Sequence, residues 1–158
     1  MQYSASFADM AQNRVVTPFR SDGVVVNPSF NFRIAKWYNV EYSLTYSYSK
    51  LNFNSGNSST DRLFQRMKVV LSPIEKLSFE VNGKHYVNKI SGSKYKNTLF
   101  LDVSACYSIS KKVKIEMFVN NILNKGIFEY SILKDLSYTQ VSYAIRPMDA
   151  MISVNFNF

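Results

Sequence analysis

Cysteine and histidine are almost missing from this chain of 158 residues, which has one residue of each type, Cys106 and His85. A single cysteine excludes an intrachain disulfide, and a single histidine argues against a histidine-based metal site or catalytic dyad. The sequence also lacks a CxxC pair, a glycine-rich phosphate loop and a nucleophile elbow. We therefore expect no enzyme activity, no cofactor and no metal.

Long apolar runs are missing as well. No stretch of eighteen apolar residues occurs, which excludes a transmembrane helix. Residues 1–7 contain neither a basic segment nor an apolar segment, so they do not form a signal peptide. A protein that needs export must then have lost its signal, or this chain is part of a longer one.

The net charge of +8 comes from lysines and arginines that are spread along the chain without a basic run. A nucleic-acid footprint clusters on one element of a domain. We therefore expect no nucleic-acid partner. Lys111, Lys112 and Lys114 lie near a predicted turn, a common place for solvated charge.

Aromatic residues are abundant, with 11 Tyr and 12 Phe. From Tyr38 to Ser49, apolar or aromatic residues alternate strictly with polar ones. Successive side chains of a β-strand point to opposite faces, so this pattern predicts a strand with one apolar and one polar face. Repeated pairs of such strands are typical of a transmembrane β-barrel wall.

The same alternation predicts further strands, and the first twenty-two residues fit it less well. Met10–Arg20 is interpreted as a connection. Pro28 cannot donate a ladder hydrogen bond, which suits a strand at or near a sheet edge. At Arg146–Pro147 the apolar positions change from odd to even, which predicts a bulge or bend within the last strand. The predicted strands are Val24–Ile34, Tyr38–Leu51, Arg62–Leu71, Leu77–Val87, Thr98–Ile109, Lys112–Ile122 and about Thr139–Phe158.

Short and long connections alternate along the chain. The short ones are 35–37, 72–76 and 110–111; the long ones are 52–61, 88–96 and 123–138. Outer-membrane barrels alternate short periplasmic turns with long extracellular loops, and strands of about ten residues match a tilted membrane span. We predict an all-β, antiparallel up-and-down meander of about eight strands. It forms one domain, 1–158, which is part of a transmembrane β-barrel or a small complete one.

A soluble β-sandwich or lipocalin-like barrel that binds a small ligand also shows alternation. The polar face would then meet bulk water rather than a lumen, and the pattern alone does not separate the two. Strand length and the alternation of loop lengths favour the membrane interpretation.

The C-terminal third carries a resemblance to a known family. Ala150, Ile152, Val154, Phe156 and Phe158 form one face of a strand that ends on an aromatic residue. This resembles the terminal strand of bacterial outer-membrane proteins, and it implies that Phe156 and Phe158 act as a C-terminal signal for the barrel-assembly machinery.

A second segment resembles TonB-dependent receptors, in which a strand runs into Asn-Leu-Phe-Asn/Asp-Lys. This chain keeps Asn121, Asn124 and Lys125 but has Ile122-Leu123 at the centre. Arg146-Pro147 matches the element that opens the last strand of these receptors, and Leu136–Phe158 is most similar to the Bacteroidetes SusC-like and related members.

The resemblance implies a C-terminal wall segment of an outer-membrane receptor that takes up a nutrient with energy relayed by TonB. Complete receptors of this kind are barrels of about 22 strands with a plugged lumen. The implied partners are the lipid bilayer, the rest of the barrel and plug, TonB indirectly, and an unknown nutrient. A complete eight-stranded outer-membrane barrel with an anchoring or adhesive role is the alternative.

Few residues offer chemistry outside this role. His85 lies on the predicted apolar face, where packing or an interfacial position is favoured over ligation. Glu80, Asp102 and Glu116 are isolated acids of the polar face, which we expect to pair with lysine or arginine. A lipid-modifying barrel enzyme would need a catalytic Ser or His, and the spacing selects none.

Overall fold

The structure is a computed structural model that describes residues 1–12, 15–53, 56–91, 94–134 and 137–156. No helix in these ranges is long and apolar enough to cross a membrane. The described residues form eleven β-strands. They are β1 (Gln2–Gln12), β2 (Val15–Val26), β3 (Ser29–Ala35), β4 (Tyr38–Phe53), β5 (Gly56–Ile74), β6 (Leu77–Ser91), β7 (Lys94–Ser108), β8 (Val113–Asn120), β9 (Ile127–Lys134), β10 (Ser137–Ala144) and β11 (Asp149–Phe156).

Nine of these strands form one antiparallel sheet with the order β1-β2-β4-β5-β6-β7-β8-β11, and β3 pairs β4 beyond β2. The fold is therefore the predicted all-β antiparallel meander. β2 and β3 pair one after the other with the same side of β4, and the two strands are separated by a break at Pro28. The Pro28 carbonyl still accepts a hydrogen bond from the Leu44 amide at 3.0 Å. Within the described residues β3 has β4 as its one neighbour, so the expectation that Pro28 adjoins an edge strand is confirmed.

The other two strands, β9 and β10, form a separate antiparallel pair between β8 and β11 in sequence. We call it the β9–β10 pair. Its strand β9 packs on one face of the large sheet, against β5, β6 and β7, and β10 packs beside β9. The end of the sheet that holds the connections 36–37, 75–76 and 109–112 is called the short-turn end, and the opposite end the extended end.

The register assigns every described side chain of the sheet to one of two faces. Residues paired across neighbouring antiparallel strands share a face. Arg62 is paired with Ser47 and Asn88, and Lys68 with Glu41 and Asn82, on the polar face. The other face is apolar, and the alternation seen in the sequence therefore runs in phase across the sheet.

The apolar face is uncovered. Among the described residues Leu51 is the one buried hydrophobic side chain. Large apolar side chains of this face are exposed on every part of the sheet, with Phe7 75 % and Ile152 69 % exposed. Others are Tyr3, Phe30, Phe32, Met67, Phe79, Leu99, Met117 and Val154.

Two of the predicted long connections are wrong. The described residues of the polar segments 52–61 and 88–96 continue the strands beyond their predicted ends: β4 and β5 have 16 and 19 residues, and β6 and β7 have 15 each. Polar residues indicate solvent exposure, and they occur in exposed strands as well as in loops. In the described residues of these segments, backbone N–H and C=O groups are hydrogen-bonded to the neighbouring strand, so the strands continue.

Three further expectations need correction. Described residues of Met10–Arg20 belong to β1 and β2, which pair from Gln2↔Val25 to Gln12↔Val15, so the expected connection is wrong. The segment 123–138 is not a simple loop, because it contains β9. The predicted last strand is two strands: β10 pairs β9, whereas β11 pairs β8, and the phase change at Arg146–Pro147 marks a passage between two sheets rather than a bulge.

Candidate functional site

An aromatic cluster joins the β9–β10 pair to the polar face of the large sheet. Tyr86 of β6 stacks on Phe64 with ring centroids 4.7 Å apart, and it meets the edge of Phe128 from β9 at 4.8 Å. Phe100 lies 6.0 Å from both Tyr86 and Phe128. Offset and edge-to-face contacts of this kind add about 0.5–1.5 kcal/mol each beyond simple burial.

The cluster explains an irregularity of the sequence. Phe64 and Val70 break the alternation of β5 because they are apolar residues at polar-face positions. For Phe64 the structure provides the reason: this side chain faces the covering pair rather than water. On β9 and β10 the cluster continues through Tyr130 and Tyr143, whose rings are 6.0 Å apart.

Polar contacts hold the same pair further toward the extended end. Asn88 donates from Nδ2 to the Glu129 carbonyl at 3.0 Å, and Lys96 Nζ lies 3.1 Å from Glu129 Oε2. The Ser131 hydroxyl donates to the Lys89 carbonyl. Two of these contacts give a backbone carbonyl, that of Glu129 and that of Lys89, a side-chain donor, and each such bond adds about 0.5–1.5 kcal/mol.

Burial is concentrated under the β9–β10 pair. Asn88 is 1 % exposed, and Thr98 and Ser131 are almost as deeply buried. Buried polar groups are expensive unless they are hydrogen-bonded. Asn88 nevertheless keeps its Oδ1 without a partner among the described residues. The β9–β10 pair thus seals a polar patch of the sheet.

Asn121 closes the base of the β9–β10 pair. Its backbone has a positive φ of 50°, which asparagine tolerates better than most residues. Its Nδ2 donates to the carbonyls of Lys125 and Arg146, both at 2.9 Å, and its Oδ1 accepts from the Lys125 amide at 3.0 Å. Its own amide donates to Asp102 Oδ1 at 2.9 Å.

Asn124 completes this connection, and we name Asn121 and Asn124 together the asparagine clasp. Asn124 also has a positive φ, of 48°, and its Oδ1 accepts from the Met148 amide at 3.1 Å. The clasp links the end of β8 to the residues that begin β11. The residues on which the family resemblance rests, Asn121, Asn124, Lys125 and Arg146, therefore meet at one place.

Ion pairs line the polar face nearer the short-turn end. Lys68 Nζ is 3.1 Å from Glu80 Oε2, and Lys84 Nζ is 3.1 Å from Asp102 Oδ2. The expectation that Glu80 and Asp102 pair with lysine is confirmed. Glu116 instead accepts a weak contact from Cys106 Sγ at 3.9 Å. The described residues contain no group of three or more His, Cys, Asp and Glu side chains placed to hold a metal ion.

Tyrosine and charge mark the apolar face near the extended end. The Tyr95 hydroxyl donates to Asp61 Oδ1 at 3.0 Å, and this hydrogen bond raises the pKa of Tyr95 above its ordinary value. On β2, Asp22 accepts from Arg20 at 2.9 Å, which lowers the pKa of Asp22. Both pairs keep their charged oxygens at the end of the sheet rather than in the middle of the apolar face.

The residues singled out from the sequence lie in different places. Phe156 projects from the apolar face of the edge strand β11 and is 61 % exposed, whereas Phe158 lies outside the described residues. His85 is on the apolar face as expected, and its Nδ1 lies 3.2 Å from Gln65 Oε1. These two polar residues pair with each other, which accounts for Gln65 at an apolar-face position.

Sequence reasoning missed the covering pair and the residues that hold it. The available signal was the set of aromatic residues at polar-face positions, Phe64, Tyr86 and Phe100, which need a partner on that side. Comparisons with family models, with curated proteins and with solved structures found no match.

Proposed function

We propose that this chain is a wall segment of an outer-membrane β-barrel, from the C-terminal part of a TonB-dependent uptake receptor. The observation that carries the proposal is the placement of the β9–β10 pair on the polar face while the whole apolar face stays uncovered. In a water-soluble sandwich the covering element packs on the apolar face. The reverse arrangement suits a wall with lipid outside and a filled lumen inside.

The dimensions of the apolar band support a membrane span. On β6 the apolar face runs from Leu77 to Val87. These ten residue steps extend about 33 Å along the strand. At a strand tilt of about 40° the band is about 25 Å high, the height of the lipid-facing band of outer-membrane barrels.

Aromatic residues flank this band on both sides. Trp37 stacks on Tyr38 at the short-turn end, with centroids 5.8 Å apart, and Tyr107 lies on the same face. Tyr46 and Tyr95 lie near the other limit of the band. Aromatic girdles at both membrane interfaces are typical of transmembrane barrels.

The β9–β10 pair also argues for a barrel wider than eight strands. An eight-stranded barrel has an interior just wide enough for its own side chains. Two additional backbone strands on the lumen face do not fit such an interior. A segment of a larger, plugged barrel has the room, and β1 and β11, which are the two ends of the strand order, would then join further strands. The small complete barrel is therefore the weaker alternative.

The assignment to TonB-dependent receptors rests on the residues of the asparagine clasp and on Arg146. Their shared location gives them one structural role: they carry the chain from the wall into the lumen-facing pair and back to the wall. The corresponding partners would be lipid, the barrel-assembly machinery, the remaining barrel and plug, TonB through that plug, and a nutrient. Bacterial outer membrane is the corresponding location.

A matched pair of charge substitutions tests the membrane orientation. Val81 lies in the middle of the apolar face, paired with Val69 and Val103, whereas its neighbour Asn82 lies on the polar face. Val81→Arg should destabilise the folded chain in lipid vesicles by about 2–4 kcal/mol, the cost of arginine at the bilayer midplane. Asn82→Arg removes the acceptor of the Arg66 Nε–H bond at 3.2 Å but stays on the polar face, so it should cost no more than about 1.5 kcal/mol.

The measurement is urea-dependent folding into vesicles, followed by heat-modifiable gel mobility. Equal effects of the two substitutions, or a monodisperse monomer of the unmodified chain in plain buffer by light scattering, would contradict the membrane orientation. The gene upstream tests the receptor assignment separately. A plug and further strands in the same reading frame support it, and a signal peptide directly before Met1 rejects it.

A further inference from the structure

Arg62 occupies a special position on the polar face, at the flank of the β9–β10 pair. Its Nη2 donates to the Ser131 carbonyl at 3.4 Å, and its guanidinium carbon lies 5.0 Å from the centre of the Tyr130 ring. These contacts orient the guanidinium and use one of its five N–H donors. The ion pairs within the described ranges use other cations, namely Arg20, Lys68, Lys84, Lys96 and Arg146.

A cavity of about 190 Å³ lies beside Arg62, between β4, β5 and β9. Hydroxyl groups dominate its lining: Ser47, Ser49, Thr60 and Ser131. Asp61 also borders it, but the register places that side chain on the opposite face, where it accepts from Tyr95. The Ser131 hydroxyl already donates to the Lys89 carbonyl, and Thr60 Oγ1 lies 3.4 Å from Ser131 Oγ. The cavity thus combines an oriented cation with two hydroxyl donors, Ser47 and Ser49.

The volume of this cavity equals that of about six liquid waters. It can hold one small oxygen-rich group with part of its hydration, but it cannot hold a bulky solute. Arginine presents a planar fork of donors that matches phosphate and carboxylate oxygens, and hydroxyls satisfy the remaining oxygens.

We propose that this cavity binds the oxyanion group (phosphate, sulfate or carboxylate) of a solute that reaches the polar face. The inference rests on the proposed function for the statement that such a solute passes through a lumen. The proposal predicts that the transported solutes are anionic and that Arg62 is the residue that recognises their charge.

The experiment is calorimetric titration of the full chain, folded in detergent micelles, with inorganic phosphate, sulfate and acetate in turn. Chloride keeps the ionic strength constant, because charge interactions are screened by salt. Arg33 is the matched control, because it is an arginine of the same face that lies far from the cavity. Arg33 pairs with Asn39 of β4 and Arg62 pairs with Ser47 of β4, so the two arginines are about eight residues, or about 25 Å, apart along that strand.

We expect millimolar binding of at least one of the three anions. Arg62→Gln should weaken it at least about tenfold, since charge-assisted hydrogen bonds are lost. Arg62→Lys should weaken it less, because the charge remains. Arg33→Gln should bind as tightly as the unmodified chain. If Arg62→Gln does not fold, Ser47→Ala serves instead, with weakening of several-fold expected.

Three results would overturn the inference: no binding of any of the three anions up to about 50 mM, equal affinity in the unmodified chain and Arg62→Gln, or an equal loss in Arg33→Gln. Vesicle insertion of the Val81 and Asn82 variants is a separate readout. Absent anion binding with normal insertion rejects this inference alone. Anion binding by a chain that is monomeric in plain buffer rejects the proposed function and leaves the cavity assignment intact.

Discussion

Replacing Asn121 should release the β9–β10 pair from the sheet while leaving the sheet itself intact. Asn121 is 6 % exposed, and its side chain makes three hydrogen bonds of 2.9–3.0 Å across the base of the pair. A net contribution of about 0.5–1.5 kcal/mol for each bond sums to about 2–4 kcal/mol. Alanine at a φ of 50° adds about 1 kcal/mol of backbone strain.

Asn121→Ala should therefore reduce the free energy that holds the pair in place by about 3–5 kcal/mol. Asn121→Gly removes the same bonds but accepts the positive φ, so its cost should be about 1 kcal/mol smaller. Asn124 is the matched control, because it has a similar φ but makes one side-chain bond within the described residues, to the Met148 amide. Asn124→Ala should cost about 2 kcal/mol.

Native-state hydrogen exchange with mass spectrometry measures these effects locally, because the pair can open without global unfolding. A loss of about 3 kcal/mol raises exchange in segment 127–144 by more than 100-fold. Amides of β4, β5 and β6 should stay protected. Unchanged exchange of 127–144 in Asn121→Ala, or a larger effect from Asn124→Ala, would show that Asn121 does not hold the β9–β10 pair on the sheet.

Two further predictions concern the contacts above the clasp. Tyr86→Ala removes the centre of the aromatic cluster and should destabilise the β9–β10 pair by about 2 kcal/mol, less than a fully buried aromatic residue would cost. Limited proteolysis within 127–144 checks it, with Phe79→Ala on the apolar face as the control that should not alter cleavage there. Lys96→Ala removes the partly exposed ion pair with Glu129 and should cost about 1 kcal/mol or less. If that cost persists in 1 M salt, where exposed pairs are screened, the ion pair is not its source.

Much of the fold could be predicted from the order of residues. The alternation of Tyr38–Ser49 and its continuation in β5, β6, β7 and β8 assigned those strands and both faces correctly, because the side-chain period of a strand is a local property of the backbone. Strand ends were predicted less well. Serine, asparagine and glycine at 56–61 are typical of loops, yet pairing with β4 keeps these residues in β5.

The candidate site shows a different limit. Asn121, Asn124, Lys125 and Arg146 stood out in the sequence, but their proximity depends on a contact that spans 25 residues, from Asn121 to Arg146. Arg62 and Ser131 did not stand out at all. They are 69 residues apart and become neighbours because β9 folds over β5.

By itself the sequence determined that the chain consists of two-faced antiparallel strands, since most of the strands, β4 and β6 among them, carry their own alternation of polar and apolar residues. Tertiary structure alone decided that β9 and β10 leave the large sheet and lie on its polar face. No local period encodes that choice. It depends on whether Phe128 finds Tyr86 and Phe100, and on whether Asn121 satisfies the carbonyls of Lys125 and Arg146, which are contacts between distant parts of the chain.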